Sequence, residues 1–210
     1  MCGIAGLIHR DKSVNIGSEL QLMLQALKHR GPDSTGYALY ADNDGQNFIM
    51  RFKVGENVGE GSNAVNEETS VYDKRKKIVD KNLSDLGATI VKEERLTPYS
   101  FRYEIKYDKD LMEFSKKIES AEMTEILSIG KSLELIKDIG DAKEVCDRYN
   151  LDKITGTHAI GHARMATESG VDIKSAHPFW GYPFSDVSVV HNGQLTNYWN
   201  NRRALENKGM

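Results

Sequence analysis

Cysteine is scarce in this sequence: Cys2 and Cys146 are the only two among 210 residues. A disulfide framework in a chain this long needs more, and a reducing compartment keeps such a pair as thiols. No cysteine cluster is present that could hold an iron–sulfur centre. A basic excess is also missing, since 28 Lys and Arg face 31 Asp and Glu for a net charge of −3. Without a global positive field, the chain has little to draw it to a phosphate backbone, which argues against nucleic acid as a partner. Long apolar runs are lacking too. The run at 4–8 is broken by Gly6 and ended by His9. It is too short for a signal-peptide core or a membrane span. Internal repeats and low-complexity tracts do not occur. At 39% hydrophobic residues, the composition fits a globular chain better than a disordered, collagenous or coiled-coil one. The expectation is a soluble cytoplasmic protein with no membrane contact, built as one substantial domain or one domain plus an elaboration.

What is present alternates between two periods. Residues 3–8 read as a short buried strand. Ser18-Glu19-Leu20-Gln21 has the form of a capping box, after which Leu20, Met23, Leu24 and Leu27 make one helix face. Gly31-Pro32 stops that helix. Strands are predicted at 35–40 and 48–54, and Asp44-Gly45 between them signals a hairpin. Residues 55–82 read as a surface connection followed by a helix. Residues 88–92 read as a strand, and 100–107 alternates cleanly, with Phe101, Tyr103, Ile105 and Tyr107 on one face. Leu111, Phe114 and Ile118 predict a helix, 125–129 a strand and 141–149 a helix. Strands at 157–164 and 187–191 and a helix at 198–206 follow. The mixture predicts α+β, with sheets packed on helices.

Several motifs fail on their spacing. Gly130-Lys131-Ser132 resembles the end of a phosphate-binding loop, but position 125 is Glu where that loop needs Gly. Gly59-Glu60-Gly61 lacks a strand-to-helix context. His158 and His162 lie four apart on a predicted strand, hence about 13 Å from each other, and lack the Glu of a zinc-binding helix. No metal site is expected. Lys74-Arg75-Lys76-Lys77 sits beside Asp73 and Asp80 and reads as a solvated helix face. Asn82-Leu83-Ser84 is a glycosylation sequon without a secretion signal.

Chemistry-bearing residues concentrate in three stretches. Cys146 falls at helical spacing with Ala142, Val145 and Tyr149 and reads as a small core hydrophobe. Cys2 is different. Removal of Met1 leaves a residue carrying both a thiol and a free α-amine, which can serve as a base for its own side chain. The second stretch is His29-Arg30-Gly31-Pro32-Asp33-Ser34. The third begins at Gly161-His162-Ala163-Arg164 and continues to His191-Asn192-Gly193-Gln194. Arg164 ends an apolar strand, where its guanidinium can meet a carboxylate in bidentate fashion or form a surface ion pair. Asn192-Gly193 follows a strand, where an amide and a backbone N–H can form an oxyanion hole or simply a tight turn.

Taken together, Cys2-Gly3-Ile4-Ala5-Gly6 and residues 29–36, 161–168 and 191–194 resemble the class II glutamine amidotransferases. These are N-terminal nucleophile hydrolases. The nearest likeness is to the amidotransferase subunit of archaeal-type glutamate synthase. It rests on residues 30–36, on Arg164-Met165-Ala166-Thr167-Glu168-Ser169-Gly170 and on Asn192-Gly193-Gln194-Leu195-Thr196-Asn197-Tyr198. The likeness covers about 1–54 and 155–210. Residues 55–150 resemble nothing in shorter relatives and read as an α+β insertion within a 1–210 amidotransferase domain.

This resemblance implies a four-layer αββα sandwich and glutamine as substrate. It makes Cys2 the nucleophile, Asn192 and the Gly193 N–H the oxyanion hole, and Arg164 the clamp for the glutamine α-carboxylate. Thr167 falls in the same substrate loop, and Arg30 and Gly31 in a loop beside the nucleophile. No cofactor is expected in this chain, and any flavin or iron–sulfur centre belongs to a partner. That partner is an ammonia-accepting synthase subunit, and self-association into a homo-oligomer stays open. Family members continue into an acidic residue that binds the substrate α-amino group. The sequence stops before that segment, which predicts a domain truncated at its C-terminus. A different class of reading is a non-catalytic regulatory or assembly module with the same fold.

Overall fold

The computed structural model describes residues 2–31, 33–56, 67–165, 173–193 and 195–208. Two four-stranded antiparallel sheets carry the architecture. The first contains β1 (Gly3–Ile8), β2 (Ser34–Ala41), β7 (Leu133–Ile139) and β8 (Gly156–Arg164) in the order β1-β8-β2-β7. The second contains β3 (Phe48–Lys53), β4 (Thr89–Arg95), β5 (Ser100–Lys106) and β6 (Glu125–Gly130) in the order β4-β5-β3-β6. Residues 55–150 therefore supply β4, β5 and β6 of the second sheet and β7 of the first.

Helix α1 (Ile16–Ala26) and helix α4 (Ala142–Tyr149) cover one face of the first sheet. Ile16, Leu20 and Leu24, spaced four apart, are fully buried against Tyr37, Leu39, Ile136 and Ala159. At such sites a Leu→Ala change costs about 2–5 kcal/mol. The helix starts earlier than the capping-box reading placed it: Asn15 is the cap, its side chain accepting from the Ser18 N–H at 2.9 Å. Ser18 is then an interior residue, because the buried stripe begins at Ile16. In α4 the capping box is real, with Asp141 and Glu144 each bonding the other's backbone N–H. Cys146 is buried on this helix, and burial pushes its thiol pKa up.

Helix α2 (Thr69–Leu86) and helix α3 (Leu111–Glu119) pack on the second sheet. Its core comprises Met50, Phe52, Val79, Leu83, Phe101, Tyr103, Ile105, Phe114 and Ile118. The alternation read in β5 is the observed one, with Phe101, Tyr103 and Ile105 fully buried. A third cluster, Ala38, Leu127, Leu133 and Leu135, joins β2 and β7 of the first sheet to β6 of the second. Polar contacts join the sheets as well. Glu134 on β7 accepts from Arg51 on β3 and from Arg102 on β5.

The hairpin expected between 35–40 and 48–54 does not form. Both segments are strands, and Gly45 takes the left-handed φ of +70° that a turn requires. The strands belong to different sheets, however, and residues 42–47 carry the chain between them. Strand β2 is buried on both faces and pairs with β7 and β8, leaving no edge for β3. Strand β7 had no counterpart in the sequence reading. The strand expected at 187–191 shrinks to β10 (Ser188–Val189), paired with β9 (Phe179–Trp180). Helix α5 (Tyr198–Glu206) follows at the expected place.

The turn at Gly130-Lys131-Ser132 has its own occupant. Asp186 places its carboxylate on the N–H groups of Lys131, Ser132 and Leu133 at 2.8–3.0 Å. Burial raises its pKa, but these backbone donors overcome that and hold it below the ordinary carboxylate value. The cradle that looked like part of a phosphate loop is filled by a side chain of the same molecule.

Candidate active site

Antiparallel register brings distant residues to one end of the first sheet. Gly3 on β1 pairs with Ala163 on β8, and Ser34 on β2 pairs with Arg164. Cys2 precedes that pair on β1 and Arg164 follows it on β8, so both lie at the same end. Side chains alternate across a strand. Cys2 therefore shares a face with Ile4, opposite to Ala5, which packs toward α1. Cys2 is half-buried, and its Sγ lies 4.0 Å from the Met165 carbonyl oxygen. Arg164 is buried, at 8% exposure.

Arg30 and Gly31 close this end from the loop after α1. Arg30 Nε donates to the Cys2 carbonyl at 3.4 Å. Gly31 lies against the end of β8 so tightly that a Cβ there would sit 2.4 Å from the Ala163 carbonyl oxygen. Its φ of −171° is extended, so the demand for glycine is purely one of space. Just beyond, the Asp33 N–H donates to the Arg164 carbonyl at 3.1 Å. The main chain bearing Arg164 is thus held by Gly31 and Asp33.

The last contributor is the exposed turn at 191–193. Asn192 Nδ2 donates to the Cys2 carbonyl at 3.1 Å. Gly193 has a φ of +153°, and a Cβ there would meet the His191 ring at 3.2 Å. The positive φ strains any side chain at 193, and the His191 ring would have to give by a few tenths of an ångström. Of the residues singled out in the sequence, Cys2, Arg30, Gly31, Arg164, Asn192 and Gly193 are brought together. Thr167 lies outside the described residues.

The sequence reading missed part of this neighbourhood. His162 on β8 is 1% exposed, and His177 stacks on it with ring centroids 4.8 Å apart. His191 completes the group, its ring centroid 6.5 Å from that of His177. Burial pushes the pKa of His162 down to about 4, and the Arg164 charge adds to this. Burial also pushes His177 down to about 4, assisted by His162 and Lys137. Both rings are neutral at pH 7. His158, four residues before His162 on β8, stacks on Tyr40 with ring centroids 4.0 Å apart. His177 carries no signal in its own sequence context, and only the fold brings it here.

The other set-aside motifs resolve as structure. Arg75 is buried on Glu67 and the Val54 carbonyl, and Lys76 pairs with Asp80 and Glu93. Half of the basic cluster is thus paired, and Arg75 is buried where a solvated face was expected, while Lys74 and Lys77 are exposed. Asn82 of the sequon is buried and donates to the Lys117 carbonyl at 3.0 Å. Among the described residues, no helix is long and apolar enough to cross a membrane.

A thiol, a side-chain amide and a guanidinium thus gather around one strand end. Relatives carry names that fit this chemistry. No family model matches the chain. Over its whole length it is 38% identical to a protein of Methanothermobacter thermautotrophicus provisionally named a glutamine amidotransferase. It is also 31% identical over its whole length to the glutamine amidotransferase-like protein GlxB of Rhizobium meliloti. It spans 66% and 64% of those two relatives. A shorter match, 40% identical over 80 residues, links 38% of the chain to 14% of amidophosphoribosyltransferase 1 of Arabidopsis thaliana. The chain is thus a homologue of glutamine amidotransferase-like proteins.

Proposed function

We propose that this chain carries the glutaminase site of a class II glutamine amidotransferase, in an αββα sandwich of the N-terminal nucleophile type. The observation that carries the reading is the convergence on Cys2. Arg30 and Asn192, from separate loops, both donate to its carbonyl, and Arg164 ends the paired strand.

In this reading Met1 is removed and the Cys2 α-amine takes the thiol proton. The thiolate attacks the side-chain carboxamide carbon of glutamine. Charge develops on the carboxamide oxygen, which Asn192 Nδ2 and the Gly193 N–H stabilise after Asn192 turns from the Cys2 carbonyl. The C–N bond breaks, the amine proton goes to the leaving nitrogen, and ammonia departs. A γ-glutamyl thioester remains on Cys2, and water hydrolyses it to glutamate and free thiol. Arg164 holds the substrate α-carboxylate as a charge-assisted pair. Thr167 lies in the same substrate loop, and Arg30 and Gly31 support the nucleophile's backbone. Ammonia passes to a synthase partner of the glutamate synthase kind, which carries any flavin or iron–sulfur centre. The protein acts in cytoplasmic nitrogen metabolism.

The test is exposure to a glutamine-mimicking diazo-ketone, followed by peptide mass spectrometry and a glutamate-release assay. The expected result is a single adduct on an N-terminal Cys2, with release abolished in Cys2→Ala. Glutamate release by Cys2→Ala at the wild-type rate overturns the reading, as does an adduct on Cys146 alone.

A further inference from the structure

The turn that carries Asn192 is exposed, yet it must hold an amide beside Cys2. Its anchor inside the protein is a histidine. The His191 N–H donates to His177 Nδ1 at 3.3 Å. The backbone carbonyl of His191 faces the other ring and favours the protonated form of His162. That contact falls short of a bond of good geometry, since neither His162 ring nitrogen has a hydrogen-bond partner. The main-chain N–H of His191 therefore depends on one acceptor, a ring nitrogen of His177.

The fold prepares a place for this ring. His162 on β8 lies between Ile4 on β1 and Gly36 on β2. A Cβ at Gly36 would stand 2.0 Å from the His177 carbonyl oxygen. The absent side chain thus opens the gap through which the 177 backbone crosses the sheet and lays its ring on His162. Phe179 packs edge-on to His177, with ring centroids 4.5 Å apart.

We propose that His177 is a positioning residue for the glutaminase site, holding the 191–193 turn through an acceptor nitrogen that works only while the ring is neutral. The inference rests on the function proposed above. A neutral imidazole has one donor and one acceptor nitrogen, whereas an imidazolium has two donors. Protonation of Nδ1 converts the acceptor into a donor, so the His191 N–H loses its partner and Asn192 loses its register. The charged and titratable groups around the ring all oppose protonation. They are His162 and Arg164 from β8, Lys137 from β7 and His191 from the turn itself. Lys137 is tied to Glu125 at 3.2 Å and to the Lys174 carbonyl at 3.4 Å. It also sits 4.7 Å from the Phe179 ring centroid.

The experiment compares glutaminase kinetics of wild type, His177→Phe and His177→Asn from about pH 8 down to about pH 3.5, past the midpoint near 4 at which His177 protonates. Asn keeps an acceptor near the Nδ1 position and does not titrate; Phe keeps the packing and loses the acceptor. His177→Phe is expected to lower kcat about 10- to 100-fold with little change in KM, as misplacement of an oxyanion donor does. His177→Asn is expected to recover most of that loss and to weaken the acid limb of the wild-type profile. Equal loss in both variants, or a wild-type kcat in His177→Phe, overturns the proposal. Nitrogen-15 NMR of the wild-type protein reads the contact without activity. The His191 amide resonance is expected to move with the midpoint at which His177 protonates, and an amide that stays still overturns the proposal. An inactive protein with a moving amide would count against the glutaminase reading and not against the anchor.

Discussion

The side-chain amide of Asn192 donates to the backbone carbonyl of Cys2 at 3.1 Å, joining two residues 190 positions apart in the chain. Strand β8 pairs with β1, which Cys2 precedes. Its last residues set where Cys2 lies, and the turn beyond β10 sets where Asn192 lies. The amide rests on a carbonyl a few bonds from the thiol, and in the proposed mechanism it turns from there toward the charge forming on substrate.

Asn192→Ala removes that donor. Glutaminase kcat is expected to fall about 100- to 1000-fold. Asn192 is exposed, so the urea midpoint is expected to stay close to wild type. A steady-state assay paired with urea unfolding checks both halves; a matching drop in stability would assign the residue to the fold.

Gly31→Ala forces a methyl group into the Ala163 carbonyl at the end of β8. Backbone lies on both sides of that contact, so something must shift. Overpacking of this kind costs about 1–3 kcal/mol. Because Arg30, on the adjoining residue, bonds Cys2, labelling of the thiol by the diazo-ketone is expected to slow as well. Unfolding curves and adduct formation over time provide the measurement.

Glu134 is 3% exposed and accepts from Arg51 and Arg102 at 2.8–3.0 Å. Burial raises its pKa, but Arg51 and Arg102 together overcome this and bring it to about 2. Glu134→Ala leaves two guanidinium groups facing each other in the interior. The expected cost is about 3–5 kcal/mol, read as a lowered urea midpoint. Glutamine at this position retains acceptor oxygen and is expected to cost less.

Stability is expected to fall as the solution turns acidic, in two stages. His162 and His177 are held near pKa 4 in the folded protein, below the ordinary 6.5. The unfolded chain thus binds protons first, and their contribution is complete above about pH 6.5 and drains as pH falls toward 4. Each histidine can contribute up to about 1.4 kcal/mol per pH unit in that window. Glu134 adds a second loss, beginning near its ordinary 4.5 and running down toward 2. Urea unfolding from pH 7.5 to 5 checks the first stage, and His162→Phe is expected to flatten it.

Local patterns in the chain were read well where one face decided the outcome. Strand β5 alternates because one side packs on α2 and α3, and α4 starts at Asp141 because the capping box is built from neighbours. Reading failed where burial was two-sided or pairing was remote. Strand β7 carries no clear apolar pattern because Lys137 and Asp138 interrupt its apolar residues, and both are buried with partners elsewhere in the fold. Asp44-Gly45 was a true turn signal with the wrong consequence. A turn reverses the chain but does not choose which strand lies alongside.

Short motifs legible in the sequence hold Cys2, Arg30, Gly31, Arg164, Asn192 and Gly193, and the fold brings these six to one end of the first sheet. The sequence by itself determined the elements whose periodicity is local. The tertiary structure alone decided that 35–40 and 48–54 belong to different sheets, and that Asp186 fills the Lys131–Ser132 turn. It alone placed His177 on His162 beneath the Asn192 turn. The reason is physical. Helical period and caps depend on residues a few positions apart, whereas strand partners and buried polar contacts are chosen by groups far along the chain that only close packing brings together.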